Sequence, residues 1–255
     1  MIPLERKREL LSLLEKQGNM TVNDLAVHIY VSPMTVRRDL KELEDEGLVR
    51  RSHGQVEIVR MDINSTSTFS YALRKTSNPE GKKKIAAAAF KRIRPGETIY
   101  IDSSSTASLI TEYLTADMKL TVVTNSPQVT GVLADKGVSV CCTGGRYSEL
   151  GMAFFGSFAE RSARFFDIDA MFFSSLGFVP GDGIYDPNEE ETSLRQCYLE
   201  RSKRKYFLCD RYKIGKKSMF RLCGLESIDE VFCDVELPAA YKTPLSAGGN
   251  AEVSL

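Results

Sequence analysis

Short apolar runs that alternate with helical segments constrain the fold of this chain more than any other feature. Six such runs follow residue 95: "TIYID", "LTVVTN", "VSVCCTGG", "DAMFFSSLGF", "KYFLCD" and "DEVFCD". Strands buried on both faces read as continuous apolar runs, and their alternation with helices is typical of α/β proteins. The sequence therefore predicts an α/β domain built on a mostly parallel sheet.

Length and composition indicate a two-domain globular protein. The 255 residues allow roughly two domains, and the hydrophobic content of 42% and charged content of 27% are close to globular averages. Apolar runs such as "IAAAAF" are far shorter than the roughly 20 residues that cross a bilayer, and the N-terminus lacks the apolar core of a signal peptide. We therefore expect a cytoplasmic protein without a membrane partner.

The cysteines and the net charge exclude further classes. The six cysteines form no C-x-x-C pair and are not combined with histidines at zinc-finger spacing, so we predict no metal site and no cofactor. Cys141, Cys209 and Cys233 lie in strand-like runs and are predicted to be buried. The net charge is zero with a pI near 6.8, so any binding of a polyanion must come from the local arrangement of charges.

The first residues read as three helices. Leucines recur at helical spacing from Leu4 to Lys16, and Gly18 follows as a stop. Thr21 can cap a short second helix with an apolar stripe. Ser32 is a good N-cap for a third helix, in which Pro33 suits the first position.

Charges in the third helix are sorted along its length. The bases Arg37, Arg38 and Lys41 precede the acids Glu42, Glu44, Asp45 and Glu46. This order is the reverse of what the helix macrodipole favours. The apolar face consists of Val36, Leu40 and Leu43, so the bases point away from the core. A partner outside the helix is therefore expected to supply negative charge.

A hairpin completes the N-terminal fold. Two β-prone runs, Leu48 to Arg51 and Val56 to Val59, flank the turn "SHGQ". Three helices and a hairpin predict a winged helix-turn-helix, whose recognition helix contacts base edges mainly with its N-terminal residues. The predicted contacts with double-stranded operator DNA are Ser32, Met34, Thr35, Arg37, Arg38, Lys41, Arg50, Arg51 and His53. The alternative is that the bases only pair with Glu42, Asp45 and other neighbours on a solvated helix face.

The segment "VSPMTVRRDLKELEDEGLVRRSHG" resembles the N-terminal signature of the DeoR-type bacterial transcription regulators. The resemblance implies that the segment from Arg37 to Leu40 belongs to the recognition helix and that His53 and Gly54 belong to the wing turn. Gln55 stands where that family usually has a second glycine.

Small polar residues follow the predicted strands of the second domain. Ser103, Ser104, Ser105 and Thr106 come directly after "IYID", where hydroxyls and N–H groups at a helix start can hold a phosphate. Further clusters at strand ends contain Thr124, Asn125, Gly144, Gly145, Arg146, Asp210 and Lys213. Ligands of parallel sheets bind beyond the carboxyl ends of the strands, so these clusters predict one pocket. The alternatives are a serine-rich cap without a ligand and a surface Lys213 paired with a carboxylate.

The resemblance extends through the second domain in "IYIDSSSTASLI", "LTVVTN", "TGGRY", "FFGSFAE", "EEETSLRQ" and "CDRYKIGKKSMF". These segments are similar to motifs of the DeoR-type sensor domain, which resembles ribose-5-phosphate isomerase in fold. The resemblance implies a phosphorylated sugar or polyol as effector, bound by Asp102, Ser103, Ser104, Ser105, Thr106, Asn125, Gly145, Arg146, Glu191, Arg195, Asp210 and Lys213. Ser104 stands where the family commonly has glycine, and Arg195 where it commonly has lysine.

Together these patterns predict a winged helix-turn-helix over residues 1–59, a polar linker over 60–75 and an α/β effector-sensing domain over 76–255. The lysines at 82–84 are interpreted as a solvated helix start, and "AEVSL" as a candidate last strand. We expect a homo-oligomer, a dimer or tetramer, because helix-turn-helix proteins commonly bind paired half-sites. Repression is the usual mode of the family that the chain resembles.

Two other functions compete with this interpretation. A sugar-phosphate isomerase fused to a DNA-binding domain would need a positioned acid or base, and "SSLGF" carries no carboxylate where one is expected. A structural nucleic-acid protein without a metabolite would be expected to be basic overall. The sequence therefore favours a regulator that is not an enzyme and has no catalytic residues.

Overall fold

The computed structural model describes residues 3–45, 49–52, 54–58, 71–149, 151–237 and 252–254. The chain separates into two units, Met1–Ser65 and Thr66–Leu255. In the described part of the chain, no helix has both the length and the apolar character needed to span a membrane.

Where the structure describes the N-terminal unit, it forms three helices and a small sheet. Its elements are α1 (Pro3–Gln17), β1 (Met20–Thr21), α2 (Val22–His28), α3 (Pro33–Asp45), β2 (Val49–Ser52) and β3 (Gln55–Ile58). The sheet is antiparallel with the order β1-β3-β2. The predicted helices and hairpin are present, whereas β1 was not predicted because two residues carry no periodic signal.

Side chains fix the starts of α2 and α3. The Thr21 hydroxyl accepts a hydrogen bond from the Asp24 N–H at 3.1 Å, and the Asp24 carboxylate accepts one from the Thr21 N–H. The Ser32 hydroxyl accepts a hydrogen bond from the Thr35 N–H at 3.2 Å. Both caps therefore satisfy N–H groups that the first helical turn leaves without partners, as the sequence predicted.

The described residues of the C-terminal unit form five α-helices. They are α4 (Tyr71–Thr76), α5 (Pro79–Phe90), α6 (Pro127–Asp135), α7 (Ser157–Ser162) and α8 (Glu189–Arg201). Helix α4 lies at the end of the segment predicted as a linker. Residues 59–70, which make up most of that segment, lie outside the described residues.

The main sheet has seven strands, and every neighbouring pair is parallel. Its strands are β4 (Thr98–Ile101), β5 (Thr121–Thr124), β6 (Ser139–Cys142), β9 (Ile168–Phe173), β12 (Ser202–Cys209), β14 (Glu230–Cys233) and β15 (Glu252–Ser254). The order is β15-β14-β12-β9-β4-β5-β6. The predicted parallel α/β fold is confirmed, and the "AEVSL" segment supplies the edge strand β15.

Two smaller antiparallel sheets were not predicted. One is the hairpin of β7 (Arg146–Ser148) and β8 (Ala153–Phe155), and the other joins β10 (Gly177–Val179), β11 (Gly183–Asp186) and β13 (Phe220–Cys223). Their strands are short, so their apolar alternation is weak.

Alternate residues of the main strands pack into two cores, one on each face of the sheet. Ile99 and Phe172 pack with α5 and α6, whereas Tyr100 and Phe173 pack with α8. Both faces are thereby covered, which explains why the strands read as continuous apolar runs.

Some predicted environments were wrong. Lys82 is buried rather than solvated, because its Nζ donates a hydrogen bond to the Arg74 carbonyl; Lys83 and Lys84 are exposed. Cys209 and Cys233 are buried as predicted, but Cys141, near the sheet edge, is only partly buried. The predicted helix start after the Ser-rich loop, Ser103 to Thr106, is present and is the start of a 3₁₀ helix, Ala107–Glu112.

Candidate functional site

The exposed face of α3 carries the predicted basic residues. Val36, Leu40 and Leu43 are buried, whereas Arg37, Arg38 and Lys41 are exposed. Among the described residues, Arg37 and Lys41 form no ion pair, and Arg38 lies 3.7 Å from Glu42 with 82% of its side chain exposed. An ion pair so exposed contributes little, so these cations remain available to an external anion.

Residues of other elements neutralise the acidic end of α3. Lys7 Nζ lies 2.6 Å from Glu42, and its hydrogen bond lowers the pKa of that carboxyl. Arg51 Nε donates to Glu44 at 2.8 Å and lowers the pKa of Glu44 in the same way. Two of the late acids of the sorted helix, Glu42 and Glu44, therefore have partners from α1 and β2.

Asp39, in the middle of "RRDL", does not belong to the exposed face. It is 2% exposed and receives hydrogen bonds from Nε and, at 2.9 Å, from Nη2 of Arg6. This bidentate contact ties α3 to α1.

A concave surface of about 510 Å³ lies beside the exposed face of α3. Its lining is Arg6, Met34, Thr35, Arg37, Arg38, Lys41 and Arg51. Of the other predicted DNA contacts, Arg50 is exposed, Ser32 shares a hydrogen bond with Thr35, and His53 lies outside the described residues. Arg51 contacts Glu44, so its guanidinium is already partly engaged.

The Ser-rich loop after β4 is buried at the carboxyl end of the sheet. Ser103, Ser104, Ser105 and Thr106 are at most 8% exposed. The Ser104 hydroxyl accepts from the Ala107 N–H at 3.1 Å, which is the cap expected without a ligand. The Thr106 hydroxyl, by contrast, is buried without a hydrogen-bond partner in the described structure. Nor do the N–H groups of Ser105 and Thr106 have an acceptor among the described residues.

A buried ionic network adjoins this loop and is centred on Arg195. Arg195 Nε donates to Asp102 at 3.1 Å, and Nη1 donates to Asp186 at 2.6 Å and to Glu191 at 3.1 Å. Asp102 also accepts from the Ser104 N–H at 3.0 Å and the Ser174 N–H at 3.2 Å. The network thus connects α8 with the ends of β4, β9 and β11.

Two carboxylates of the network have pKa values displaced in opposite directions. Burial raises the pKa of Asp186 to about 6, although Arg195 opposes this shift. Burial acts on Glu191 too, but Arg195, Arg74 and Asn188 outweigh it and lower that pKa. The pKa of Asp186 is therefore higher in the folded protein than in the unfolded chain. Its contribution to the free energy of unfolding is largest below about pH 4 and is lost as the pH rises through about 6.

Asn125 connects the Ser-rich loop with the neighbouring strand. Its Oδ1 accepts from the Tyr100 hydroxyl at 3.2 Å, and its Nδ2 lies 3.4 Å from Ser103 Oγ and 3.2 Å from the Phe154 carbonyl. Asn125 is 2% exposed. The amide therefore holds the loop against β5 and β8.

Lys213 reaches the same edge of the sheet from the loop after β12. Its Nζ donates to Ser174 Oγ, whose N–H is bound to Asp102. Burial lowers the pKa of Lys213. Asp210 is 4% exposed and accepts from the Tyr212 N–H at 3.0 Å, so it shapes the turn that carries Lys213.

Gly145 and Arg146 are not in contact with the Arg195 network. Nη2 of Arg146 donates to both carboxylate oxygens of Glu190. Both predicted residues, Gly145 and Arg146, line a separate concavity of about 600 Å³ with Phe158. Gly145 has φ +116°, and a Cβ there would lie 2.7 Å from the Phe155 carbonyl oxygen. Close packing of the β7–β8 hairpin is therefore sufficient to explain this glycine.

Three polar residues near the network were missed from the sequence. Asp186 ends a strand too short to recognise, and its Oδ2 is buried without a hydrogen-bond partner in the described structure. Arg74 Nε is also buried without an acceptor there, close enough to act on the charges of Glu191 and Lys213. Ser174 links Lys213 to Asp102. Of these three, only Ser174 could have been found from the sequence, because it directly follows an apolar run predicted to be a strand.

Comparison with known families agrees with both units. The DeoR-like helix-turn-helix domain matches residues 6–63, and the DeoR C-terminal sensor domain matches residues 77–235. The chain belongs to the DeoR family. This DeoR-family chain is therefore a DNA-binding transcriptional regulator and not an enzyme.

Curated relatives align along nearly the whole chain. The HTH-type transcriptional regulator GlpR of Haloferax volcanii is 30% identical over 250 residues, 98% of this chain and 96% of the relative. The L-fucose operon activator of Haemophilus influenzae is 35% identical, covering 91% and 92% of the two chains. The lactose phosphotransferase system repressor of Staphylococcus aureus is 31% identical with the same coverages.

Among solved structures, ribose 5-phosphate isomerase A of Methanocaldococcus jannaschii is a distant likeness. It is 15% identical, covers 54% of this chain and 55% of its own, and has a TM-score of 0.41.

Proposed function

We propose that this regulator represses a carbohydrate-utilisation operon in the cytoplasm and that a phosphorylated sugar or polyol, bound in its C-terminal unit, weakens operator binding. The observation that carries the effector site is the Ser-rich loop, in which the buried Thr106 hydroxyl and the N–H groups of residues 105 and 106 have no hydrogen-bond partner among the described residues. Buried polar groups are seldom left without partners, so their free capacity suits a ligand. The names of two relatives, an L-fucose operon activator and a lactose phosphotransferase system repressor, are consistent with a sugar-derived effector.

Charge around the loop suits a molecule with an anionic end and hydroxyl groups. Lys213 reaches the edge of the loop through Ser174, and Arg74 acts on the charge of Lys213, so both cations can attract a phosphate, with N–H groups as further donors. Asp186 Oδ2 has free acceptor capacity, whereas both oxygens of Asp102 already accept hydrogen bonds. We therefore assign the phosphate to the loop and Lys213, and a hydroxyl to Asp186.

Lys213→Ala should weaken binding of a phosphorylated effector roughly 10- to 100-fold, since a hydrogen bond to a charged group is worth about 1.5–3 kcal/mol. Operator affinity without effector should stay unchanged, because the residue belongs to the C-terminal unit. Calorimetry and operator gel shifts with a panel of sugar phosphates measure both quantities. The matched control is Lys217→Ala, an exposed lysine of the same loop paired with Asp182.

Linkage makes this test strict. If the effector weakens operator binding by some factor, operator must weaken effector binding by the same factor. Equal effector affinity in wild type and Lys213→Ala would remove Lys213 from the site. A wild-type protein that responds to no phosphorylated sugar would contradict the sensor function itself.

We also propose that the protein acts as a dimer or tetramer on paired half-sites, because a single winged helix covers little DNA. Sedimentation at micromolar concentration should give at least twice the mass of the 28.5 kDa chain. A monomeric mass both with and without operator would be inconsistent with this proposal.

A further inference from the structure

The turn between α2 and α3 contains a tyrosine in a backbone conformation that suits glycine. Tyr30 has φ +54°. Its N–H donates to the Val27 carbonyl at 3.4 Å, and the Val31 N–H donates to the Ala26 carbonyl at 3.2 Å. These two bonds form a Schellman motif, whose left-handed residue is usually glycine or asparagine. A bulky residue at this position costs folding free energy.

The described part of the N-terminal unit shows no contact that would compensate for this strain at Tyr30. Its side chain is 93% exposed. Within the described residues its ring stacks on no other aromatic ring, and its hydroxyl has no hydrogen-bond partner. Packing therefore does not explain why a tyrosine occupies this position, and backbone strain at an exposed site is a reason to look for a functional contact.

The position of Tyr30 in the chain indicates what the side chain would contact. It lies two residues before Ser32, the cap of α3, and the Schellman bonds fix the backbone that presents it. Val27 and Met34, on the helices before and after the turn, are 71% and 72% exposed. Met34 also lines the basic concavity with Arg37 and Lys41. Large exposed apolar side chains beside a basic surface are typical of an interaction site.

We propose that Tyr30 contacts operator DNA, with its hydroxyl donating a hydrogen bond to a backbone phosphate and its ring packing on the adjacent sugar. The proposal rests on α3 being the element that reads the operator. Tyrosine is among the side chains that donate to DNA phosphates, and such contacts fix the register of a recognition helix without reading sequence. The strained turn that holds the tyrosine comes directly before α3, and the contact with DNA offsets the strain.

The test compares three full-length variants in operator binding, thermal melting and sedimentation. Tyr30→Gly removes the side chain and suits the left-handed backbone, so its Tm should be at least that of wild type while its operator affinity falls roughly tenfold or more. Tyr30→Phe should keep the Tm and lose most of that affinity, because it lacks only the hydroxyl. The salt dependence of binding should not change in either variant, because tyrosine carries no charge. The third variant, Arg37→Ala with Arg38→Ala, shows how far operator affinity falls when α3 loses its exposed bases.

The outcomes separate the contact from its alternatives. Wild-type operator affinity in Tyr30→Gly, beside lost binding in the double arginine variant, would overturn the Tyr30 contact and leave α3 as the reader. Weaker binding together with a lower mass or a lower Tm would also overturn it, by placing Tyr30 in a subunit contact or in the folding of the turn. Wild-type operator affinity in both Tyr30→Gly and the double arginine variant would instead contradict the role of α3 in reading the operator.

Discussion

Arg195→Ala is expected to destabilise the C-terminal unit by about 3–5 kcal/mol, because it would leave three buried carboxylates without the cation that pairs with them. Arg195 is 5% exposed, and Asp102, Asp186 and Glu191 are 1%, 0% and 5% exposed. Breaking a buried ion pair by removing one partner costs far more than the pair contributes relative to an apolar replacement. A domain has only about 5–15 kcal/mol of stability in total, so this single change removes a large part of it.

Thermal melting of the full-length protein measures this loss. In a chain of this size each kcal/mol corresponds to about 2–4 °C, so the Tm should fall by roughly 6–20 °C. The matched control is Arg201→Ala in the same helix, since Arg201 pairs with Asp167 at the surface at 3.1 Å. An exposed pair of this kind contributes about 0–1 kcal/mol. Equal Tm values for the two variants would show that the Arg195 network contributes no more than a surface pair.

Arg195→Lys tests whether charge alone is sufficient. The guanidinium donates from Nε to Asp102 and from Nη1 to Asp186 and Glu191. Lysine carries a single Nζ and cannot reproduce these hydrogen bonds from two different nitrogens. Lysine is nevertheless the residue that the resemblance to the family leads us to expect at position 195. We expect a Tm between those of wild type and Arg195→Ala, and a lysine variant as stable as wild type would mean that the geometry of the fork is unimportant.

Acidification should partly restore the stability that Arg195→Ala loses. Protonation neutralises carboxylates that have lost their cation, and Asp186 already has a pKa of about 6 with Arg195 in place. Without Arg195 that pKa should rise further, because the guanidinium is the group that opposes the effect of burial. The stability difference from wild type should therefore shrink as the pH falls from 7 towards 5.

Local patterns were sufficient to predict most of the fold. The six apolar runs became strands of the parallel sheet, and Thr21 and Ser32 cap the helices that they were predicted to cap. Each of these features depends on residues close together in the sequence. The short strand β1 pairs with β3, and β13 pairs with β11, so both depend on partners far along the chain and left no local signal. Strands β10 and β11 pair locally, but they have only three and four residues, too few for a clear alternation.

The buried network shows the same limit for the site. Arg195 and Asp102 were both predicted as site residues, but their contact joins positions 93 residues apart and could not be deduced from spacing. Asp186 ends a four-residue strand and was not distinguished from other carboxylates of the surface loops. Lys82 lies in a run of three lysines, a pattern that predicts an exposed side chain. In the structure Lys82 Nζ instead donates a hydrogen bond to the Arg74 carbonyl. A charged residue in a sequence therefore indicates that a partner of opposite charge or a hydrogen-bond acceptor is needed, but not which residue supplies it.

Replacing Arg37 and Arg38 together with alanine should weaken operator binding by roughly 100-fold or more while the fold persists. Both side chains are exposed, and the buried residues of α3 are on the opposite face, so their loss removes no core contact. Each arginine that contacts a base or phosphate is worth about 1–3 kcal/mol. Arg37 has no ion pair among the described residues, so it loses no internal partner on binding DNA; Arg38 gives up only its exposed contact with Glu42.

Gel shifts at several salt concentrations separate a specific contact from a general loss of charge. The slope of log affinity against log salt should fall by about 1 for each arginine that neutralises a phosphate. The matched control is Lys83→Ala with Lys84→Ala, which removes the same two positive charges from exposed positions of α5 in the other unit. That control should bind operator as wild type does, because its lysines are outside the helix-turn-helix. Similar affinities for the two double variants would mean that α3 does not read the operator and that the sorted charges of this helix serve only its contacts with Lys7 and Arg51.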